Sequence, residues 1–158
     1  MSYEDVIKGL KVIGVVSLGT FAGSSLHTAM AVQPSLVEES NVPASSRIMR
    51  GMLMKSSMMP ISALLSSFSS FALYFKLRAT PNEDQFWLMS GSAMLSLMPL
   101  TIYYIGPINA QFRFAKEEDF EQDEEKWNGL LSDWLFYHRP RAVLSMALFG
   151  VAVYKLVK

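Results

Sequence analysis

Four long stretches without a formal charge constrain the fold of this chain more than any other feature. Counting histidine as neutral, they cover residues 12–32, 56–75, 85–112 and 142–154. A helix needs about 20 apolar residues to cross the hydrocarbon core of a bilayer, and the first three stretches reach that length. The fourth is shorter, but Trp134 to Tyr137 on one side and the long stem of Lys155 on the other can extend it. The pattern predicts an all-α bundle of four transmembrane helices, with a soluble bundle of unusually apolar helices as the alternative.

Charge and residue usage exclude several classes of protein. The 158 residues include 14 bases and 14 acids, without a basic run that would follow a phosphate backbone, so we expect no nucleic acid partner. The chain has no cysteine, which excludes disulfides, thiolate metal sites and thiol catalysis. Two histidines cannot form a three-histidine site, and the acidic run at 117–125 lacks the residue order of a calcium loop. We therefore expect no metal and no cofactor.

The lengths predict one membrane domain over residues 1–158, an integral multi-pass protein with spans at about 12–32, 56–75, 86–106 and 142–157. One side carries a short helix after Pro43, capped by Ser45 or Ser46, and the acidic segment, which is expected to be solvated. A signal peptidase could read the small residues at 29–31, but acids at positions 4 and 5 are atypical of a leader, so we expect a retained span.

Small residues predict how the helices pack, because close backbone approach drives helix association in lipid. The predicted packing faces are the GxxxG pair Gly19 and Gly23, the serines Ser62, Ser66 and Ser70, and the serines Ser92 and Ser96. A polar pore is the less favoured interpretation of the serines, since such hydroxyls often bond to their own helix.

Trp134, His138 and Arg141 have the spacing i, i+4, i+7, which places them on one face of a helix. Pro140 lies inside this interval and is expected to bend that helix. An indole, an imidazole and a permanent cation on one face suit either an anchor at the lipid interface or a ligand site.

Three further polar residues lie near the ends of the same spans. Asn109 follows the third span and Gln33 ends the first, on the side of the bundle that carries His138. His27 is about 10 Å deeper than Pro34 by helix rise, where it serves either as an interhelical donor or as a pocket group. The methionines at 49–59 suit core filling or the lining of a flat apolar ligand.

Two segments resemble motifs of the anthrone oxygenase-like (DUF1772) family of membrane proteins. The run from Pro99 to Asn109, with Thr101 and Pro107 between them, resembles that family's P-x-T…P-x-N segment. Trp134, His138 and Arg141 resemble its W-x-x-x-H-x-x-R motif. The first span is similar to the family's small-residue helix ending before a proline, although Gln33 stands where a histidine is common.

The resemblance implies a four-helix membrane fold and, in members with an activity, oxidation of polyketide anthrones to anthraquinones by molecular oxygen without metal or flavin. On this basis we expect a cofactor-independent oxygenase acting on a flat apolar aromatic substrate. His138, Arg141 and Asn109 would be its catalytic residues. The predicted substrate-binding residues are Trp134, His27, Gln33 and Thr101.

A different class of function also fits the sequence. In this hypothesis the protein is a non-catalytic accessory subunit whose GxxxG and serine faces dock onto a larger membrane complex. Asn109 would then cap a neighbouring helix, and Trp134 with Arg141 would set the depth in the membrane. Transport is less favoured, because the uncharged stretches contain no acid or base to carry a coupled charge.

Overall fold

The computed structural model of the protein describes residues 2–56, 58–81 and 84–157, and this part of the chain is helical without a strand. We number the helices in chain order. Helix α1 runs over Tyr3–His27 and continues through a π turn, Thr28–Val32, into Gln33–Glu38. Helices α2 and α3 are Val42–Lys55 and Met58–Leu77. Helix α4 runs over Gln85–Leu100, a π turn at Thr101–Ile105, and Gly106–Phe114. Helices α5 and α6 are Asp119–Gln122 and Glu124–Val157.

Helices α1, α3, α4 and α6 are each long and apolar enough to cross a membrane. Only 22–39% of their most apolar windows is buried inside the bundle, so most of this apolar surface points outward. Val16, Phe68 and Val143, for example, are more than half exposed. Water-soluble monomers rarely expose continuous apolar surface of this extent. The prediction of an all-α bundle of four membrane-length helices is confirmed.

Helix α1 is the centre of the bundle and packs between α3 and α6, while α4 packs mainly on α3. Gly91 of α4 is buried at a close approach to α3, where the Ser67 hydroxyl donates to the Gly91 carbonyl at 2.8 Å. Gly19 packs against the ring of Phe149 on α6, but a side chain at Gly23 would meet nothing within 4 Å. Only half of the GxxxG pair therefore lies at an internal contact.

The serine faces follow the prediction on α3 but not on α4. Ser62, Ser66 and Ser70 are buried, whereas Ser92 and Ser96 are exposed. On α4 the buried small residues are Ser90 and Gly91 instead. The predicted packing face of α4 was wrong because one residue turns a helix by about 100° and neighbouring small residues offered two adjacent faces.

Both π turns lie directly before an X-Pro pair, one at Gln33-Pro34 and the other at Gly106-Pro107. In each, the residue before the proline donates its N–H to the carbonyl five residues earlier, from Gln33 to Thr28 and from Gly106 to Thr101. A proline ring in a regular α-helix collides with the carbonyl four residues earlier. The wider turn relieves this collision and allows α1 and α4 to continue.

Helix α2 covers the end of the bundle where α4 and α6 extend beyond α3. It begins at Val42, with the Asn41 side chain accepting the Ala44 N–H, so the predicted caps Ser45 and Ser46 lie inside the helix and are buried. On its outer side, Arg47 and Arg50 pair with acids of the 117–121 segment. At the opposite end of the bundle, Lys155 pairs with Asp84 at 2.6 Å.

Candidate functional site

A cavity of about 400 Å³ lies between α1, α2, α3, α4 and α6. Five methionines contribute to its apolar lining and are called the methionine wall below, namely Met49, Met52, Met58, Met59 and Met98. Helix α1 contributes hydroxyl groups at a helical spacing of four, called the hydroxyl wall, namely Thr20, Ser24 and Thr28. A cavity of this size and largely apolar lining is typical of a site for a small organic molecule.

Trp134, His138 and Arg141 meet at one end of this cavity. Helix α6 continues through Pro140, so the three side chains share the face that their spacing predicts. The Trp134 and His138 rings are stacked, with their centroids 4.3 Å apart and their planes 12° apart. The Arg141 Nη2 atom lies 2.6 Å from His138 Nδ1. The three groups form one contiguous unit.

The hydrogen bonds of His138 define its tautomer. A guanidinium can only donate, so Nδ1 of His138 accepts from Arg141 and carries no proton. Its Nε2 lies 3.1 Å from the Ser25 carbonyl and donates to it. His138 is therefore a neutral imidazole with its proton on Nε2, and its one lone pair faces the guanidinium.

Arg141 is a buried cation, only 8% exposed, and it contacts no carboxylate among the described residues. Besides His138, it lies 3.5 Å from the Thr101 hydroxyl and over the Phe21 ring, with 5.5 Å between guanidinium carbon and ring centroid. Its Nε–H has no hydrogen-bond partner in the part of the chain that the structure describes. Because a buried charge without a counterion is costly, this guanidinium is well suited to bind an oxygen of a ligand.

Asn109 belongs to the same end of the cavity. Its Oδ1 accepts the Trp134 indole N–H at 2.7 Å, which fixes the orientation of both side chains. Since an indole N–H must donate, the carboxamide oxygen faces Trp134 and the amino group remains available as a donor.

The structure brings five of the seven predicted site residues together at the cavity: Thr101, Asn109, Trp134, His138 and Arg141. His27 does not join them. It is exposed on α1, because one residue of helix rotation turns it away from the cavity-lining Thr28. Gln33 is fully buried but does not line the cavity, and both polar atoms of its side chain lack partners among the described residues.

Sequence reasoning missed several lining residues, of which Arg113 carries a charge. A usable signal was present, because Thr101, Ile105, Asn109 and Arg113 are spaced by four along α4, and all four line the cavity. The helical face that includes the threonine and asparagine of the first motif therefore predicts the arginine one turn further on.

The chain matches the model of a known protein family. The model of the anthrone oxygenase family matches residues 49–151, which include Thr101, Asn109, Trp134, His138 and Arg141 but neither His27 nor Gln33. No curated protein and no solved structure matches significantly. The family match covers well over half of the chain and contains every predicted residue that lies at the cavity. The chain therefore belongs to the anthrone oxygenase family.

Proposed function

We propose that the protein is an integral multi-pass membrane protein that oxidises a flat, apolar, anthrone-type substrate with molecular oxygen and without a cofactor. The observation that carries this proposal is the Arg141 guanidinium, which lies buried without a carboxylate in a largely apolar cavity, in contact with the neutral imidazole of His138. The oxygen of an aromatic ketone or enol can accept the hydrogen bonds that this guanidinium would otherwise donate to a carboxylate.

The outward apolar surface of the four long helices supports a location in lipid. Such a location also suits the substrate, because a polycyclic aromatic partitions into the bilayer and can reach the cavity from there. Within the cavity, the ring system would lie between the methionine wall and the hydroxyl wall, with Trp134 at the reacting end.

In the proposed reaction, His138 removes a proton from the doubly benzylic CH₂ of the anthrone, and Arg141 with the Asn109 amino group stabilises the enolate oxygen that forms. The enolate carbon donates electrons to O₂, and a C–O bond forms to give a peroxide at that carbon. After protonation, loss of water breaks the O–O bond and the second C–H bond and leaves a carbonyl. The sum is CH₂ plus O₂ giving C=O plus H₂O, which balances without a further reductant.

Substrate binding and base activation are coupled in this scheme. The lone pair of His138 is occupied by Arg141. A substrate oxygen that takes over the Arg141 hydrogen bond frees Nδ1, which can then accept the proton. The Ser25 carbonyl holds the opposite nitrogen and becomes a partner of the resulting imidazolium.

The test is the rate of quinone formation from emodin anthrone under air by the purified protein in detergent. We expect the wild type to exceed buffer and His138→Ala to fall to the buffer rate. The chain offers a matched control, because His27→Ala removes the exposed histidine outside the cavity and should leave the rate unchanged. Equal rates for wild type and His138→Ala would remove His138 from the mechanism.

One observation favours the accessory-subunit alternative. Gly23 has nothing within 4 Å of its side-chain position, so half of the GxxxG pair remains open to a helix of another protein. In this case, isolation in mild detergent yields a stoichiometric complex that loses its partner on Gly23→Leu, and no quinone forms. Isolation without a partner, together with quinone formation, would favour the oxygenase.

A further inference from the structure

The cavity contains a second cation that the proposed reaction does not use. Arg113, an exposed residue unlike the buried Arg141, lines it with part of its side chain, and the described lining includes two arginines but no aspartate or glutamate. Two permanent positive charges in a site without an acid favour a ligand that brings negative charge or strong acceptors of its own.

The two cations lie at different levels of the cavity. Arg141 is beside Thr101 of α4, and Arg113 follows Thr101 by twelve residues on the same helix, which is about 18 Å of helix rise. Side chains of a helix lean toward its N-terminus, so the Arg113 side chain leans back toward Asn109 and Thr101. The long axis of a flat ligand can therefore extend from one guanidinium toward the other.

Several hydrogen-bond donors of Arg113 are not used within the described chain. Among the described residues Arg113 makes one hydrogen bond, from Nη2 to the Leu53 carbonyl at 3.1 Å, which leaves four of its five N–H groups for other partners. Glu117, four residues further along the chain and beyond the end of α4, is already bound by Arg47 and Arg50 of α2. Arg113 is thus positioned by α2 without being neutralised by an acid of the described chain.

We propose that the cavity selects aromatic substrates that carry an acidic group, with that group on Arg113 and the reacting oxygen on Arg141. This inference rests on the proposed function, since it assigns the second end of the same substrate. An arginine and a carboxylate can form two parallel charge-assisted hydrogen bonds, which discriminate a carboxylate from the neutral amide of the same shape.

The experiment uses two probes that are already quinones and cannot be oxidised further at the reacting carbon, anthraquinone-2-carboxylate and anthraquinone-2-carboxamide. Binding to the full chain in a maltoside detergent, which contains no phosphate, is followed by quenching of tryptophan fluorescence, since Trp134 lines the cavity. We expect the wild type to bind the carboxylate roughly tenfold more tightly than the carboxamide.

Variants of Arg113 test whether this residue causes the preference for the carboxylate over the carboxamide. Arg113→Gln should bind the two probes equally, and Arg113→Lys should retain part of the preference because it keeps the charge. Arg139→Gln is the matched control, since Arg139 is exposed like Arg113 but lies outside the cavity, and it should behave as the wild type does. If Arg113→Gln does not fold, Arg113→Met replaces it, because the methionine stem fills similar space without donors.

Three results would overturn the inference. The first is equal binding of the two probes by the wild type, and the second is a preference for the carboxylate that persists in Arg113→Gln. The third is displacement of the carboxylate by phosphatidylglycerol in nanodiscs of the wild type but not in nanodiscs of Arg113→Gln. The last result would identify Arg113 as a site for a lipid phosphate. Because the probes do not react, these outcomes are independent of whether quinone forms from an anthrone, which tests the proposed function separately.

Discussion

Arg141 places a permanent charge in a largely apolar cavity, which costs folding free energy unless a partner compensates it. Its contacts are an imidazole lone pair, a distant hydroxyl and an aromatic face, and none of these carries a negative charge. Buried charges of this kind are typical of binding and catalytic sites, which agrees with the proposed role of Arg141 toward a substrate oxygen.

The first prediction concerns the single residue Arg141 and separates its effect on stability from its effect on activity. Arg141→Met removes the buried charge and fills similar space, so we expect the thermal unfolding temperature to stay equal or rise. Quinone formation should fall about 100-fold or more, because the oxyanion loses its main donor. Unfolding is followed by intrinsic fluorescence in detergent. A large fall in stability with activity retained would show that Arg141 is a structural residue.

The second prediction concerns the bond between Asn109 and Trp134. Asn109→Ala leaves the buried indole N–H without an acceptor and should lower the free energy of unfolding by about 1–3 kcal/mol. Asn109→Asp keeps the acceptor, so stability should largely return. It also puts a negative charge beside the developing enolate, so activity should stay low. Recovery of activity along with stability in Asn109→Asp would contradict a direct role for the amino group.

At the scale of the elements, α2 is held over the cavity by ion pairs as well as by packing. Arg47 donates to Glu117 and Glu121, and Arg50 donates to Glu117. The hydrogen bonds to Glu121 and Glu117 raise the pKa of Arg47 above its ordinary value. Met49, Met52 and Leu53 on the inner side of α2 line the cavity. Movement of α2 therefore changes access to the site.

The third prediction tests this arrangement. Glu117→Gln weakens two of the contacts of α2, so hydrogen exchange over residues 42–55 should become faster and more sensitive to salt. Because the pairs are exposed, the global stability should change by less than about 1 kcal/mol. Glu118→Gln is the matched control, since within the described chain Glu118 pairs with Lys116 and not with α2. Identical exchange in the two variants would mean that packing alone holds α2.

The fourth prediction concerns the contact between α3 and α4. A Cβ at Gly91 would lie 3.1 Å from the Ser67 carbonyl oxygen and from the Phe71 ring, so Gly91→Ala must push the helices apart. We expect a loss of about 1–3 kcal/mol in the free energy of unfolding. Gly23→Ala, where nothing lies within 4 Å, should be neutral or stabilising in the isolated protein. Equal stability of the two variants would contradict the close approach.

How much of the structure the sequence predicts depends on the physical basis of each sequence pattern. Long uncharged stretches predict four helices, because a helix is the structure in which a single segment satisfies its own backbone in lipid. The motif residues on α6 share a face by spacing alone, and the helix continues through Pro140 as that face requires. The sequence predicts less well which face of a helix turns inward. Neighbouring small residues offer adjacent faces about 100° apart, and His27 and Ser92 both turned outward.

For the molecule as a whole, the cavity could not be predicted from sequence, because five helices contribute to it and each contributes only a few lining residues. The serines and threonines of α1 gave no distinct signal, since hydroxyls in such helices bond to their own backbone, as Thr20 does to the Val16 carbonyl. The position of α2 over the end of the bundle depends on contacts far apart in the chain, such as Arg113 with Leu53.

The central claim is that this cavity holds a flat aromatic ligand with an oxygen on Arg141. An experimental structure of the protein in a lipid nanodisc with anthraquinone-2-carboxylate tests it most directly. We predict planar density between the methionine wall and the hydroxyl wall, with a ligand carbonyl oxygen within about 3 Å of the Arg141 guanidinium. Density for the ligand only on the outer surface, with Arg141 still donating to His138 and a lipid chain in the cavity, would contradict the account.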